Sequence, residues 1–256
     1  MTEHYGWRSV YVLLSFSAIA LLLPLLLLWF KEPGDLTKID KADRQSADNG
    51  LAPTPVTGFS LREALSLRQF WQLACVCLLV AIVEGALIIH LYPILNEGGL
   101  DKTAAAGIAS LMGFAMIVGR LLSGALFDRF SATTVFAGEI ILILLSCLLA
   151  RANHGSMLEG ASISILIGLG AGGATNAIAY LSSRYFGLFA YASIFGLLMG
   201  LFGLAFGIAP VLAGQLRDVL QSYQPIFGGC AVALGFAALL VAFLGRVPAA
   251  PVSLTR

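Results

Sequence analysis

Buried within long apolar stretches of this 256-residue chain are six side chains able to do chemistry: Glu84, His90, Arg120, Glu139, Asn176 and Tyr180. An arginine in hydrocarbon costs about 2.5–3.5 kcal/mol even on insertion scales, so it must be compensated or used. One compensation is Glu139. Arg120 and Glu139 flank the turn near Phe130 at about ten and nine residues, so they should lie at similar depth and could form a structural ion pair. The other is snorkelling of the guanidinium to the nearer membrane face. Glu84 stands near the middle of its stretch. A carboxylate there is a functional candidate by default, and loss of hydration favours its neutral form, which suits uptake and release of a proton. The bland alternative is a protonated glutamate hydrogen-bonded to a neighbouring helix. Counting residues separates Glu84 and Arg120 by about 10 Å in depth, too far for a direct pair but within one water-filled cavity. His90 is about five residues from the end of its stretch, placed for a gate or proton step, or as an interfacial histidine. Asn176 and Tyr180 are one helical turn apart and could line a cavity or hydrogen-bond between helices.

Other chemistries find no support. The only histidines are His4, His90 and His154, with no His-Glu-x-x-His run and no Gly-x-Ser-x-Gly elbow, so no enzyme, cofactor or metal is expected. Cys75, Cys77, Cys147 and Cys230 all fall in apolar stretches, and Cys75-x-Cys77 is neither a zinc nor a redox spacing. A retinal protein would need a lysine in the last stretch, which has none. A net charge of +1 argues against a nucleic-acid partner.

The elements that must position these residues are membrane helices. Hydrophobic residues make up 59% of the chain and charged ones only 11%, against about 25% in soluble domains; mean hydropathy is +0.90. A spanning helix needs about 20 apolar residues. Seven segments qualify: 9–30, 70–94, 103–126, 132–150, 159–182, 190–214 and 225–245. Their length excludes the roughly ten-residue alternating strands of a membrane barrel. The expected fold is an all-α polytopic membrane protein in the lipid bilayer. The first segment is too long for a signal peptide and reads as a retained helix bent near Pro24.

Lys and Arg placement sets the orientation. Of the 15 basic residues, 11 fall on one side: Lys31, Lys38, Lys41, Arg44, Arg62, Arg68, Arg120, Arg129, Arg184, Arg246 and Arg256. That side is expected to be cytoplasmic, with the N-terminus outside and the C-terminus inside. Residues 31–69 form the long loop, polar at first and then amphipathic. Ser60 followed by Glu63 fits a capping box opening a short helix on the inner surface. The domains expected are a single helix over 1–30, this linker, a six-helix bundle over 70–246 and a tail over 247–256.

Two helices are rich in glycine. One carries Gly168, Gly170, Gly172 and Gly173; the other carries Gly196, Gly200, Gly203, Gly207 and Gly214 with Pro210. Small residues at such spacings let helix backbones approach closely, and ligand lining is the alternative.

One helix, a cytoplasmic linker and six more helices resembles the C-terminal half of a major facilitator superfamily transporter, preceded by the last helix of its N-terminal half. The local motifs agree. Gly124-Ala-Leu-Phe-Asp128-Arg129 looks like the family's loop motif as it recurs in the second half. Gly207-Ile-Ala-Pro210 followed by Gly214 looks like its glycine-proline helix motif. Arg184-Tyr-Phe-Gly187 and Tyr5-Gly-Trp-Arg8 fit as well. The resemblance covers essentially the whole chain. It implies secondary transport of a small solute across a plasma (inner) membrane and a conformational role for Gly124, Asp128 and Arg129. It also implies that the N-terminal transporter half, the other wall of the pathway, is a missing partner.

Within the family, Arg120 is similar to the arginine that contacts the substrate carboxylate in the monocarboxylate and oxalate/formate branches. That task suits a guanidinium fork. Two departures accompany it. Met116 stands where the monocarboxylate branch has an aspartate, and 190–214 contain no Lys or Arg where the oxalate branch has a lysine. The resemblance thus implies a substrate set of Arg120, Asn176 and Tyr180, a proton-coupling set of Glu84 and His90, and a small organic anion as solute.

Overall fold

Short polar signals punctuate a nearly continuous run of apolar helix. The computed structural model describes residues 12–24, apart from 14 and 18, and 57–248, apart from 153, 154 and 246. Contacts divide the chain into Met1–Pro55 and Val56–Arg256. In the first unit, Ser15–Pro24 is a short apolar helix. The rest of the expected first span, its bend, the Tyr5–Arg8 run, the linker over 31–56 and the end of the tail lie outside the described residues.

The second unit holds a short helix, α1 (Leu61–Ser66), and six long ones: α2 (Arg68–Glu97), α3 (Lys102–Phe127), α4 (Ala132–Arg151), α5 (Met157–Phe186), α6 (Tyr191–Leu220) and α7 (Gln224–Ala242). All six long helices are long and apolar enough to cross a membrane. Their starts are written locally. Asp101 accepts from the backbone N–H of Thr103 and Ala104 to open α3, and Ser131 accepts from Thr134 to open α4. Pro225 falls in the first turn of α7, where its missing N–H costs nothing. Gly187, at φ 72°, ends α5 in a backbone conformation that side chains disfavour.

At the head of α1, Ser60 and Glu63 form the reciprocal capping box. Phe59 N–H donates to Phe186 O and Leu188 N–H to Thr57 O, which pins the chain before α1 to the α5–α6 turn. Trp71 Nε1 then donates to Leu65 O at 2.9 Å, tying α1 to the first turn of α2.

The expected segment ends differ from the helix ends by a few residues, for a physical reason. A 30-residue helix is about 45 Å long, against a hydrocarbon thickness of about 30 Å. Hydropathy marks the apolar part and misses the polar turns that continue it. Thus α6 runs past 214 to Leu220 through a polar last turn in which Arg217 is held by Glu97 at 3.2 Å.

Packing does not simply follow chain order, although α4 and α5 are both neighbours in sequence and close partners. α3 packs chiefly on α5, α2 on α6 and α7, and α4 on α5 and α7, whereas α3 barely touches α4 and α6 barely touches α7. Exchanging α2 with α5, α3 with α6 and α4 with α7 leaves this pattern unchanged. The second unit is therefore two three-helix groups, inverted because an odd number of crossings separates their equivalent helices. The core lies between α2, α4, α5 and α7. α3 and α6 leave large apolar side chains such as Phe114, Leu121, Leu204 and Val211 exposed.

Candidate functional site

The α3–α5 seam positions the three substrate candidates. A methyl added at Gly119 would collide with the Leu169 carbonyl, one at Gly172 with the Met116 carbonyl, and one at Gly168 with the backbone of Met112 and Met116. Backbone therefore lies on backbone along this seam, as the glycine spacing of α5 suggests. The contact brings Arg120 Nε to Gly172 O at 3.4 Å and lets Asn176 Nδ2 donate to Arg120 O at 3.3 Å. One turn further along α5, the Tyr180 ring stacks on Phe127, with centroids 4.9 Å apart and planes 7° apart. Arg120 is exposed, and Asn176 and Tyr180 are half-buried. The guanidinium is tethered through Nε, and its two Nη groups hold no hydrogen bond among the described residues. A guanidinium held in this way presents a planar pair of donors of the kind that binds a carboxylate.

The Arg120–Glu139 ion pair does not form, which corrects one expectation. Glu139 is buried on α4, and neither carboxylate oxygen has a hydrogen-bond partner. Equal depth was necessary for the pair but not sufficient. Glu139 lies against Gly173, where only the missing side chain makes room for it, while Arg120 meets the same helix at Gly172. The backbone of α5 separates them. Glu84 on α2 is only 3% exposed, and its Oε1 is also unpartnered. No ion pair among the described residues joins Glu84 to Arg120.

His90 is half-buried and held at both ring nitrogens. Its Nδ1 is 2.8 Å from Tyr223 Oη, and its Nε2 is 3.0 Å from the carbonyl of Pro210. A carbonyl can only accept, so Nε2 carries hydrogen; in the neutral ring Nδ1 then accepts from the tyrosine hydroxyl. This links α2, α6 and the start of α7. Beside it is a cavity of about 580 Å³, lined by His90, Asn96, Glu97, Arg217, Asp218 and Tyr223 among others. Arg217, whose side chain stays partly exposed, bridges Glu97 at 3.2 Å and Asp218 at 3.6 Å. Tyr223 escaped the sequence reading because the contact joins positions far apart in the chain. The signal available was a tyrosine at the mouth of α7.

The motif residues divide into two groups. Gly124, Asp128 and Arg129 are exposed at the α3–α4 turn, and nothing stands within 4 Å of a methyl placed at Gly124. In α6, Pro210 supplies the carbonyl for His90, and Gly214 faces the His90 ring. Among the described residues, Gly196, Gly200, Gly203 and Gly207 have no neighbour where their side chains would be, so the close-packing expectation for α6 is not met there.

Comparison with known proteins agrees with this architecture. The chain is 26% identical over 260 residues to the uncharacterized MFS-type transporter YcxA of Bacillus subtilis (strain 168), covering 95% of this chain and 58% of that protein. It is 34% identical over 132 residues to the methylenomycin A resistance protein of the same organism, covering 50% of this chain and 28% of that protein. The chain thus spans little more than half the length of the first relative. Neither name mentions a monocarboxylate, oxalate or formate. The family model of the Major Facilitator Superfamily matches residues 1–198. With six membrane-length helices in two inverted groups, this chain belongs to the Major Facilitator Superfamily of membrane transporters.

Proposed function

We propose that the chain is the C-terminal half, with the preceding helix, of a secondary active transporter for a small organic anion, a monocarboxylate being the type, coupled to protons or by exchange. The observation that carries this reading is the exposed Arg120 fork, anchored through Nε deep in a membrane helix and flanked by Asn176 and Tyr180. Arg120 binds the anion, with Tyr180 as a further contact, and Asn176 positions Arg120 through its backbone carbonyl. Glu84 and His90 carry the proton coupling. Gly124, Asp128 and Arg129, with Gly207, Pro210 and Gly214, serve the rearrangement of helices.

The second wall of the pathway belongs to an N-terminal half. The faces it would cover are those of α3 and α6, where Gly113, Gly124, Gly200 and Gly203 meet nothing within this chain. The end bearing α1 and the α3–α4 and α5–α6 turns faces the cytoplasm of an inner membrane, following the excess of Lys and Arg there. The domain scheme is the single helix over 1–30, the linker to 69, the bundle over 70–246 and the tail.

The test is uptake of labelled monocarboxylates into proteoliposomes under a pH gradient, with the chain alone and co-expressed with an N-terminal half. Uptake that appears with the second half supports the half-transporter. No uptake in either preparation sinks the transport claim and leaves a non-transporting bundle. A second reading, a different small molecule as solute, is favoured by the 34% identity to a protein named for methylenomycin A resistance. Competition of unlabelled anions against antibiotic-like compounds for the same uptake separates the two.

A further inference from the structure

Glu139 has no task in the site just described, yet its surroundings are unusual. It is 7% exposed, and neither carboxylate oxygen is hydrogen-bonded. Its carboxyl occupies the space left by the missing side chain of Gly173. Ser123 on α3, 2% exposed, borders the same space beside Gly173, and its hydroxyl is likewise without a hydrogen-bond partner among the described residues.

A carboxylate buried as an anion needs a cation or several donors. None reaches Glu139 from the helices around it. On α3, Arg120 is held on the Gly172 side of α5. α5 itself has no acidic or basic residue between Glu159 and Arg184. α7 has no Asp, Glu, Lys, Arg or His along Gln224–Ala242. On α2 the buried acidic residue is Glu84, a carboxyl that supplies no cation. Such surroundings favour a neutral carboxyl over a buried anion.

We propose that Glu139 is a second proton-binding site, separate from Glu84, and that the Ser123 hydroxyl turns to donate to the Glu139 carboxylate when its proton leaves. The proton bonds to an Oε of Glu139 and is released to water, with no other bond changed. A hard metal cation fits less well, because it takes about six or more oxygens, and no cluster of three or more His, Cys, Asp or Glu occurs among the described residues. The use of this proton rests on the transport reading; its binding does not.

The experiment is infrared spectroscopy of the full chain in proteoliposomes across a pH series. A protonated-carboxyl band is expected at neutral pH, partly lost in Glu139→Gln. In Ser123→Ala, which deletes the donor to the carboxylate, the midpoint of the Glu139 band should move to higher pH. A band unaltered by Glu139→Gln, or a midpoint unmoved by Ser123→Ala, overturns the proposal. If Glu139→Gln does not fold, Glu139→Asp must displace the band, and an unshifted band counts equally against it. Uptake under a pH gradient is measured in parallel on the same vesicles. Expected band behaviour without proton-driven uptake leaves the proton site standing and removes the coupling reading.

Discussion

Arg120 and Glu139 stand at one level of the bundle on two sides of the same helix: Arg120 Nε donates to Gly172 O at 3.4 Å, and the Glu139 carboxyl lies against Gly173. Successive residues of a helix point about 100° apart. One turn of α5 therefore keeps a guanidinium and a carboxyl apart at a depth where their attraction would be large. The arginine is left available to a solute, and the carboxyl is left to a proton.

That separation makes Arg120 and Glu139 energetically independent. In a double-mutant cycle of Arg120→Ala and Glu139→Gln, the changes in thermal midpoint should add, with a coupling below about 0.5 kcal/mol. A direct ion pair would give a coupling of roughly 0.5–3 kcal/mol. A value in that range would show that the two meet.

The α3–α5 seam and the open α6 face should respond oppositely to an added methyl. Gly172→Ala drives its Cβ into the Met116 carbonyl and should cost about 1–3 kcal/mol, seen as a lower midpoint in detergent. Gly203→Ala meets nothing and should cause no loss, since alanine is the better helix former. A bulkier Gly203→Leu should spare the isolated bundle but weaken co-purification with an N-terminal half. Equal melting losses at 172 and 203 would contradict the seam.

How far the sequence revealed this arrangement depends on the kind of information each feature needs. The six spans of the second unit and the fold class were legible because bilayer thickness forces long apolar helices. The ends were less so: 214 was read as the end of a helix that reaches Leu220, because hydropathy is silent about polar turns at the interface. Depth was legible by counting residues, and it placed Arg120 and Glu139 correctly along the membrane normal. Rotation about that normal was not, because it depends on which helix intervenes. The His90–Tyr223–Pro210 contact was hidden for the same reason. The glycines show both outcomes. Glycine density marks packed backbone in α5 and, among the described residues, uncovered backbone in α6, since composition does not say where a partner helix lies.

The capping box should make the entry to the bundle sensitive to acid. Hydrogen bonds to the Glu63 carboxylate, first from the Ser60 backbone N–H and then from its hydroxyl, hold its pKa below the ordinary 4.5. A depressed value contributes stability that is present above 4.5 and lost as pH falls through the lower folded value. Trp71, bonded to Leu65 O, reports on α1. With Trp7 and Trp29 replaced by phenylalanine, Trp71 emission should change below pH 4.5. Glu63→Gln, which can still accept, should remove the change. An identical acid transition in Glu63→Gln would assign it elsewhere.

The histidine contact predicts a tautomer. Nitrogen-15 chemical shifts of His90 should show hydrogen on Nε2, facing Pro210 O, with Nδ1 accepting from Tyr223. Tyr223→Phe deletes the donor and should cost about 0.5–1.5 kcal/mol in melting. Hydrogen found on Nδ1 of the neutral ring would mean that the relation of α2 to α6 differs from the one described.

Arg120 gives the sharpest functional test, because lysine keeps its charge and loses its fork. If the anion is held by two parallel N–H donors, Arg120→Lys removes one charge-assisted hydrogen bond worth about 1.5–3 kcal/mol. The KM for a carboxylate substrate should then rise roughly 10- to 150-fold, with a smaller change in maximal rate. Asn176→Ala should act through the same helix contact, since its amide steadies the Arg120 carbonyl and not the substrate charge. It should raise KM less than Arg120→Lys and should not add fully to it in the double variant. A full additive effect would give Asn176 its own contact with the solute. Unchanged KM in Arg120→Lys, with uptake intact, would remove Arg120 from the binding site.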